Sequence, residues 1–227
     1  MSCQNGTMTI PYASRHRVSQ WAIRWGALLL AAMLPLTASA QPGDARRTVL
    51  VMGDSLSAAY GLATHEGWVA LTADRMEERA SGWRVVNASI SGETTAGGKA
   101  RIVAALARHR PSVVVIALGA NDGLRGLPIE AMRRNLAWMI GAAHGAGAEV
   151  LLVGMQMPPN LGPDYTREFA GSYPLLSERF DTGLVPFLLE PIATGRDNFQ
   201  DDNLHPVAGV QDELRDHVWE ALAPLLD

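Results

Sequence analysis

The segment SVVVIALG at 112–119 is apolar along almost its whole length. A strand with continuous rather than alternating apolar residues is covered on both faces, which is typical of a parallel sheet between helices. Comparable apolar segments lie at 48–53, 83–88, 148–154 and, more weakly, 182–187. Amphipathic stretches with helical spacing separate them, at about 66–80, 95–109, 128–144, 164–180 and 206–226.

This fivefold alternation of strand and helix predicts an α/β protein. We expect a three-layer α/β/α sandwich with a five-stranded, mostly parallel sheet and right-handed crossovers. In such sheets ligands bind beyond the carboxyl ends of the strands. With the strand order 2-1-3-4-5, the second and third strands flank the first, and the residues that follow these three strands converge.

The N-terminal 40 residues have the pattern of a secretory signal peptide. An uncharged apolar run of 12 residues at 25–36 follows three arginines, and Ala38-Ser39-Ala40 supplies a small-residue cleavage site. The run is shorter than the roughly 20 residues that span a bilayer. We expect cleavage near Ala40, export to the periplasm or the medium, and a single domain at 41–227. An uncleaved N-terminal anchor is the alternative.

Charge and cysteine content exclude several classes of function. Without the three leader arginines, 16 basic residues face 23 acidic ones, a net charge of −7. No basic patch is present, which argues against a nucleic-acid partner. The only cysteine, Cys3, lies in the leader, so the mature chain has no disulfide, thiolate metal site or cysteine nucleophile. We expect a monomer without stable membrane insertion after cleavage.

A serine follows the first predicted strand in Gly53-Asp54-Ser55. A hydroxyl on a tight turn at a strand end is the arrangement of a nucleophile elbow, although Ser57 replaces the second glycine of that motif. The alternative is an ordinary turn in which Asp54 or Ser55 caps the next helical turn. Other serines near strand ends, Ser57, Ser89 and Ser91, are rival nucleophiles.

A serine nucleophile needs an oriented base. Of six histidines, His205 is the best placed, because it precedes Pro206, which predicts extended backbone just before the last helix. Asp202, three residues earlier, is close enough to reach the imidazole, and Asp201 is the less favourably spaced alternative. The pair could equally be a helix-entry aspartate and a surface histidine.

An acyl-transfer site also needs donors for an oxyanion. Asn121 offers a side-chain amide directly after a buried strand, and Gly92 offers a backbone N–H without a Cβ in front of it. Asn121 could instead close an Asx turn, and Gly92 could be a left-handed turn residue.

These blocks together resemble the SGNH (GDSL) hydrolase superfamily. The strings GDSLSAAYG, VVNASISGETT and NDGLRG look closest to its branch of bacterial periplasmic acyl-CoA thioesterases, described also as lysophospholipases and arylesterases. The resemblance implies a flavodoxin-like fold, Ser55 as nucleophile, His205 as base and Asp202 as its partner. It also implies an oxyanion hole from Ser55, Gly92 and Asn121. Ala120 departs from the glycine that we associate with this branch.

We predict a small-molecule acyl ester or thioester substrate and no metal or organic cofactor. Apolar residues in loops on the same rim are candidates for an acyl groove: Leu124, Leu127, Met155, Met157, Pro158 and Leu161. They could instead cap the edge of the core. A carbohydrate or other small-ester acetylesterase of the same superfamily is the closest alternative. A metallophosphoesterase, which would need more strand-end histidines, and a non-enzymatic binding module are more distant ones.

Overall fold

A computed structural model describes residues 47–80 and 82–227, so the predicted signal peptide lies outside the described residues. Five strands form one parallel sheet in the order β2-β1-β3-β4-β5, which confirms the predicted order. The strands are β1 Arg47–Gly53, β2 Trp83–Asn87, β3 Val113–Ala117, β4 Glu149–Val153 and β5 Gly183–Val185.

Helices cover both faces of this sheet, as the continuous apolar strands predict. They are α1 Trp68–Arg79, α2 Thr95–His109, α3 Ala120–Leu124, α4 Ile129–Gly145, α5 Pro163–Ala170, α6 Ser172–Phe180 and α7 Gln211–Leu222. Short 3₁₀ turns lie at Thr64–Glu66, Pro159–Leu161, Glu190–Ile192, Arg196–Asn198, Ala208–Val210 and Ala223–Leu225. None of the helices in these described ranges has the length and apolarity needed to cross a lipid bilayer.

Alternate residues of each strand enter opposite halves of the core. In β1, Val49 and Val51 pack with α1 and α7, whereas Leu50 and Met52 pack with α2, α4 and α6. Side chains on a strand point to the two faces in turn, so a strand buried on both sides must be apolar at every position. This explains why the sequence shows runs instead of alternation.

The last two helical segments differ from the prediction. The predicted helix at 206–226 begins at Gln211 instead, because the extended backbone before Pro206 continues through it and pairs with Phe199 in an antiparallel bridge. The predicted helix at 164–180 is two helices that meet at Gly171. The loop that carries His205 is therefore longer than expected and is fastened by this bridge.

The chain also departs from the prediction after two of the strands, β5 and β3. The strand predicted at 182–187 ends at Val185, since Pro186 has no N–H to donate to a neighbouring strand. A single helical turn, α3, follows β3 directly and was not predicted. It begins after Gly119, whose φ of +126° is a conformation that favours glycine.

Candidate active site

Ser55 lies in a tight turn directly after the central strand β1. The backbone N–H of Leu56 donates to Asp54 Oδ1 at 3.0 Å, and the N–H of Ala58 donates to the Asp54 carbonyl at 2.9 Å. A Cβ on Gly53 would lie 2.5 Å from Ser57 Oγ, so the close fold of this turn requires glycine there. Gly53 thus allows the turn to fold closely and Asp54 fixes its backbone, and together they present the hydroxyl of Ser55.

The structure brings Ser55, His205 and Asp202 together. His205 Nε2 lies 2.8 Å from Ser55 Oγ, and His205 Nδ1 lies 2.7 Å from Asp202 Oδ2. Hydrogen bonds from the backbone N–H of His205, and then from its imidazole and from Leu204 N–H, lower the pKa of Asp202 to about 2. An ionised carboxylate only accepts hydrogen bonds, so Nδ1 carries the proton and Nε2 accepts from the serine hydroxyl.

The rival side chains stand elsewhere. Ser57 is buried beneath the turn, and its hydroxyl has no hydrogen-bond partner within the described part of the chain. The carboxylate that contacts the imidazole belongs to Asp202 and not to the alternative, Asp201. The geometry thus selects one hydroxyl, one imidazole and one carboxylate from the sequence candidates.

Asn121, in α3, lines the same cavity as Ser55. Its side-chain Nδ2 donates to Asp54 Oδ2 at 3.4 Å. Because an amide nitrogen has two hydrogens, one remains for a group in the cavity. The carboxylate of Asp54 therefore holds both the Ser55 turn and the amide of Asn121.

Gly92 lies in the turn that follows β2, with a φ of +77° that favours glycine. The N–H of Ile90 donates to the Gly53 carbonyl at 3.0 Å, which keeps this turn beside the end of β1. Arg125, the residue after α3, donates to the Gly92 carbonyl at 2.9 Å. The turn with Gly92 and the helix with Asn121 are thereby joined on one side of Ser55.

A buried polar cluster fixes α3, which is too short to be stable alone. Asp122 accepts from the N–H of Thr95 at 2.8 Å and from its hydroxyl at 2.6 Å, and Asn135 donates to the same hydroxyl. The side chain of Asp122 thus binds the start of α2, so α2, α3 and α4 are held together next to Asn121.

The cavity at the site has a volume of about 400 Å³ and a largely apolar wall. Of the predicted groove residues, Leu124, Met155, Met157 and Pro158 line it. Leu127 and Leu161 are exposed and do not belong to the described wall; Leu127 lies beyond Gly126, where the chain turns towards α4. Several apolar wall residues were not predicted: Leu56, Pro159, Phe187, Leu189, Ala193, Phe199 and Leu204.

One of the cavity residues that were not predicted could have been identified from the sequence. Phe187 follows the carboxyl end of β5, where the rule that identified Ser55 and Asn121 also applies. The 188–204 segment has no periodicity that would show which of its side chains face inwards.

We expect the free energy of unfolding of Asp54→Asn, relative to that of the wild type, to increase as the pH rises from acid to alkaline. Burial raises the pKa of Asp54 to about 6, despite the hydrogen bonds that it accepts, and its side chain is only 2% exposed. The carboxyl group of Asp54 thus binds its proton more tightly in the native protein than in the unfolded chain, where an aspartate has a pKa of 3.8. Stability consequently falls as the pH rises through this interval, by about 3 kcal/mol for a shift of roughly two pKa units.

Urea unfolding near pH 4 and near pH 8 measures this effect. The unfolding free energy of Asp54→Asn minus that of the wild type should be more positive near pH 8 than near pH 4, by up to about 3 kcal/mol. Asp164→Asn, at an exposed carboxylate in α5, is the control and should show a much smaller difference. Equal differences at both pH values would contradict the prediction.

Comparison with known proteins identifies the family of the chain. Residues 51–210 match the GDSL-like Lipase/Acylhydrolase family. The chain is 48% identical over 200 residues to Esterase TesA of Pseudomonas aeruginosa, covering 88% of this chain and 99% of that protein. It is 38% identical over 180 residues to Thioesterase 1/protease 1/lysophospholipase L1 of Escherichia coli K12, covering 79% and 85%.

A solved structure shows the same similarity. It is the crystal structure of the psychrotrophic esterase EstA from Pseudoalteromonas sp., inhibited by monoethylphosphonate. It matches with a TM-score of 0.76 and 40% identity over 79% of this chain and 98% of that one. On the strength of the family match and of these relatives, the chain belongs to the GDSL-like lipase/acylhydrolase family.

Proposed function

We propose that this hydrolase cleaves carboxylic ester and thioester bonds of acyl substrates through an acyl-enzyme on Ser55. The observation that carries the proposal is the continuous chain of contacts from Ser55 Oγ through the imidazole of His205 to the carboxylate of Asp202. A hydroxyl, a base and an orienting acid in this order form the constellation of acyl-transfer enzymes.

The proposed reaction has two steps. Ser55 Oγ attacks the acyl carbonyl carbon while His205 Nε2 takes the hydroxyl proton, and the tetrahedral oxyanion receives hydrogen bonds from the N–H groups of Ser55 and Gly92 and from the Asn121 amide. The C–O or C–S bond then breaks, and the imidazolium gives its proton to the departing alcohol or thiol. Water, deprotonated by His205, then attacks the acyl carbon; the bond from this carbon to Ser55 Oγ breaks, the acid leaves, and the imidazolium returns its proton to Ser55 Oγ.

The apolar cavity supports acyl chains as the group that is bound. Its volume of about 400 Å³ lies within the usual range of small-molecule sites, and its wall includes Leu124, Met157 and Pro158. The names of the relatives extend the proposed substrates to acyl thioesters and lysophospholipids. Aryl esters are included because a relative from Vibrio mimicus is named an arylesterase.

The competing reaction class receives less support. Within the described ranges, no three or more histidine, cysteine, aspartate or glutamate side chains lie together as a metal-ion site would require. For this reason we favour an acyl hydrolase over a metallophosphoesterase. No feature of the cavity favours a carbohydrate acetylesterase over the acyl hydrolase.

We also propose that the enzyme is exported, with cleavage near Ala40 leaving one domain at 41–227 that works as a monomer. The N-terminal sequence pattern supports export. Monomeric function is supported because Ser55, His205, Asp202 and the acyl cavity all come from one chain.

A fluorophosphonate probe tests the proposed nucleophile. Such a reagent phosphonylates only a serine activated by a base, so we expect one labelled peptide, which contains Ser55, in the native protein. Peptide mapping by mass spectrometry distinguishes Ser55 from Ser57, and a heat-unfolded sample is the control that should remain unlabelled. A native protein that takes up no probe, or takes it up at another serine, would refute the assignment.

We expect Asn121→Ala to lower kcat by roughly 10²- to 10³-fold, the usual effect of removing one oxyanion donor. KM should change less, because the lost hydrogen bond is strongest in the transition state. Initial rates with p-nitrophenyl esters measure both constants. Asn160→Ala, in the exposed 3₁₀ turn at Pro159–Leu161, is the matched control and should retain the wild-type kcat. An Asn121→Ala enzyme with unchanged kcat would remove this side chain from the oxyanion hole.

A further inference from the structure

The ring of Tyr60 packs against the imidazole of His205. The two ring centroids are 4.4 Å apart and the planes meet at 38°. Tyr60 is 51% exposed, whereas the side chain of His205 is only 17% exposed. Tyr60 thus stands between the imidazole and solvent, in the turn that follows Ser55.

This contact restrains a motion that the other contacts of the imidazole leave open. The hydrogen bonds to Ser55 and Asp202 hold the two ring nitrogens, Nε2 and Nδ1. The ring is joined to the chain at Cγ and can still swing by rotation about its Cα–Cβ and Cβ–Cγ bonds, which moves Nε2 away from the serine hydroxyl. A second ring packed against the imidazole opposes this rotation.

Gln200 joins the chain segment of Tyr60 to the segment of His205 through hydrogen bonds to backbone atoms. Its Nε2 donates to the carbonyl of Tyr60 at 2.9 Å and to the carbonyl of Pro206 at 3.1 Å. Its own backbone N–H donates to the His205 carbonyl at 2.8 Å. One side chain therefore joins the segment after the nucleophile to the segment that carries the base, across 140 positions of sequence.

The residue after Tyr60 is adapted to this junction. Gly61 has a φ of +76°, and a Cβ there would lie 2.2 Å from Gln200 Oε1. Only glycine permits both the backbone conformation and the close approach of the Gln200 amide.

We propose that Tyr60 and Gln200 are positioning residues for the reaction: they set the orientation of His205 relative to Ser55. The proposal rests on the proposed function, in which His205 is the base. Neither residue needs to touch the substrate for this role. Small errors in the placement of reacting groups carry large costs in rate, on the order of 10²-fold for about 1 Å.

Steady-state kinetics of four variants, including one double variant, test the proposal on a short p-nitrophenyl ester, whose small acyl group makes few contacts with the cavity wall. Tyr60→Leu and Gln200→Met should each lower kcat by roughly 10- to 100-fold with KM nearly unchanged. Tyr60→Phe, which keeps the packed ring, should stay within about threefold of the wild type. Combined, Tyr60→Leu and Gln200→Met should lose less than the product of the single losses, because both act on one imidazole.

Controls separate positioning from folding and from the chemistry itself. Leu175→Ala, at a side chain of similar exposure in α6, should leave kcat unchanged, and thermal unfolding should show all variants folded at the assay temperature. If Tyr60→Leu and Gln200→Met keep kcat within about threefold, or raise KM without lowering kcat, the positioning role is refuted. Ser55→Ala is assayed in parallel: if it is inactive while those variants are fully active, only the positioning role fails, whereas an active Ser55→Ala enzyme also overturns the proposed function.

Discussion

We expect Ser55→Ala to reduce kcat by a factor on the order of 10⁶, the scale seen when a nucleophilic serine is removed from other triads. The substitution deletes the atom that would form the acyl-enzyme, and nothing else near His205 replaces it, because Ser57 is buried under the turn. The protein should remain folded, since Ser55 is only half-buried and faces the cavity.

Rates with p-nitrophenyl esters and with acyl-CoA, together with thermal unfolding, provide the measurement. Ser57→Ala is the matched control two residues away. It removes a buried hydroxyl that has no partner among the described residues, so we expect nearly wild-type rates and equal or slightly higher stability. A Ser55→Ala protein that turns over substrate at the wild-type rate would end the proposal of an acyl-enzyme at this residue.

The second large effect is expected for Asp202→Asn, at roughly 10⁴-fold in kcat. Asp202 Oδ1 accepts the backbone N–H groups of Leu204 and His205, at 2.9 and 3.0 Å. These donors will hold the carbonyl oxygen of an asparagine and turn its NH₂ group towards His205 Nδ1. Nδ1 must then accept, Nε2 takes the proton, and the imidazole cannot accept the hydrogen of the Ser55 hydroxyl.

The adjacent aspartate is the control for this prediction. Asp201→Asn should keep activity, because the carboxylate on the imidazole is that of Asp202. With a pKa of about 2, Asp202 is ionised throughout the range in which the enzyme would be assayed, so the deficit of Asp202→Asn should persist across pH 5 to 9. Loss of activity in Asp201→Asn and not in Asp202→Asn would exchange the two assignments.

Sequence reasoning predicted the sheet and the residues at its edge because both follow from short-range regularities. The runs around Val49 and Val113 identify strands buried on two faces, and the parallel arrangement places all their carboxyl ends on one edge. Ser55 and Asn121 drew attention because each follows one of these strands and carries a side chain suited to acyl transfer. His205 was found because the proline after it predicts extended backbone.

The rest depended on long-range packing that no local pattern encodes. The bridge between Phe199 and Pro206 replaces the first turn of the predicted helix. The contact between Tyr60 and His205 joins residues 145 positions apart, and neither lies in a periodic segment. The segment at 188–204 supplies Leu189 and Phe199 to the cavity through 3₁₀ turns and loops, whose course is set by tertiary contacts instead of residue propensity.

Part of the apolar wall comes from residues outside the segments that carry the reacting groups. Leu189 and Ala193 shape the cavity, whereas the hydrogen bonds that hold Ser55, His205 and Asp202 in place come from Asp54, Gln200 and the backbone of the 202–205 loop. Wall residues of this kind can therefore be exchanged during evolution or by directed engineering without moving the reacting groups. Proteins of this fold can therefore come to prefer acyl chains of different lengths while they keep the same catalytic residues.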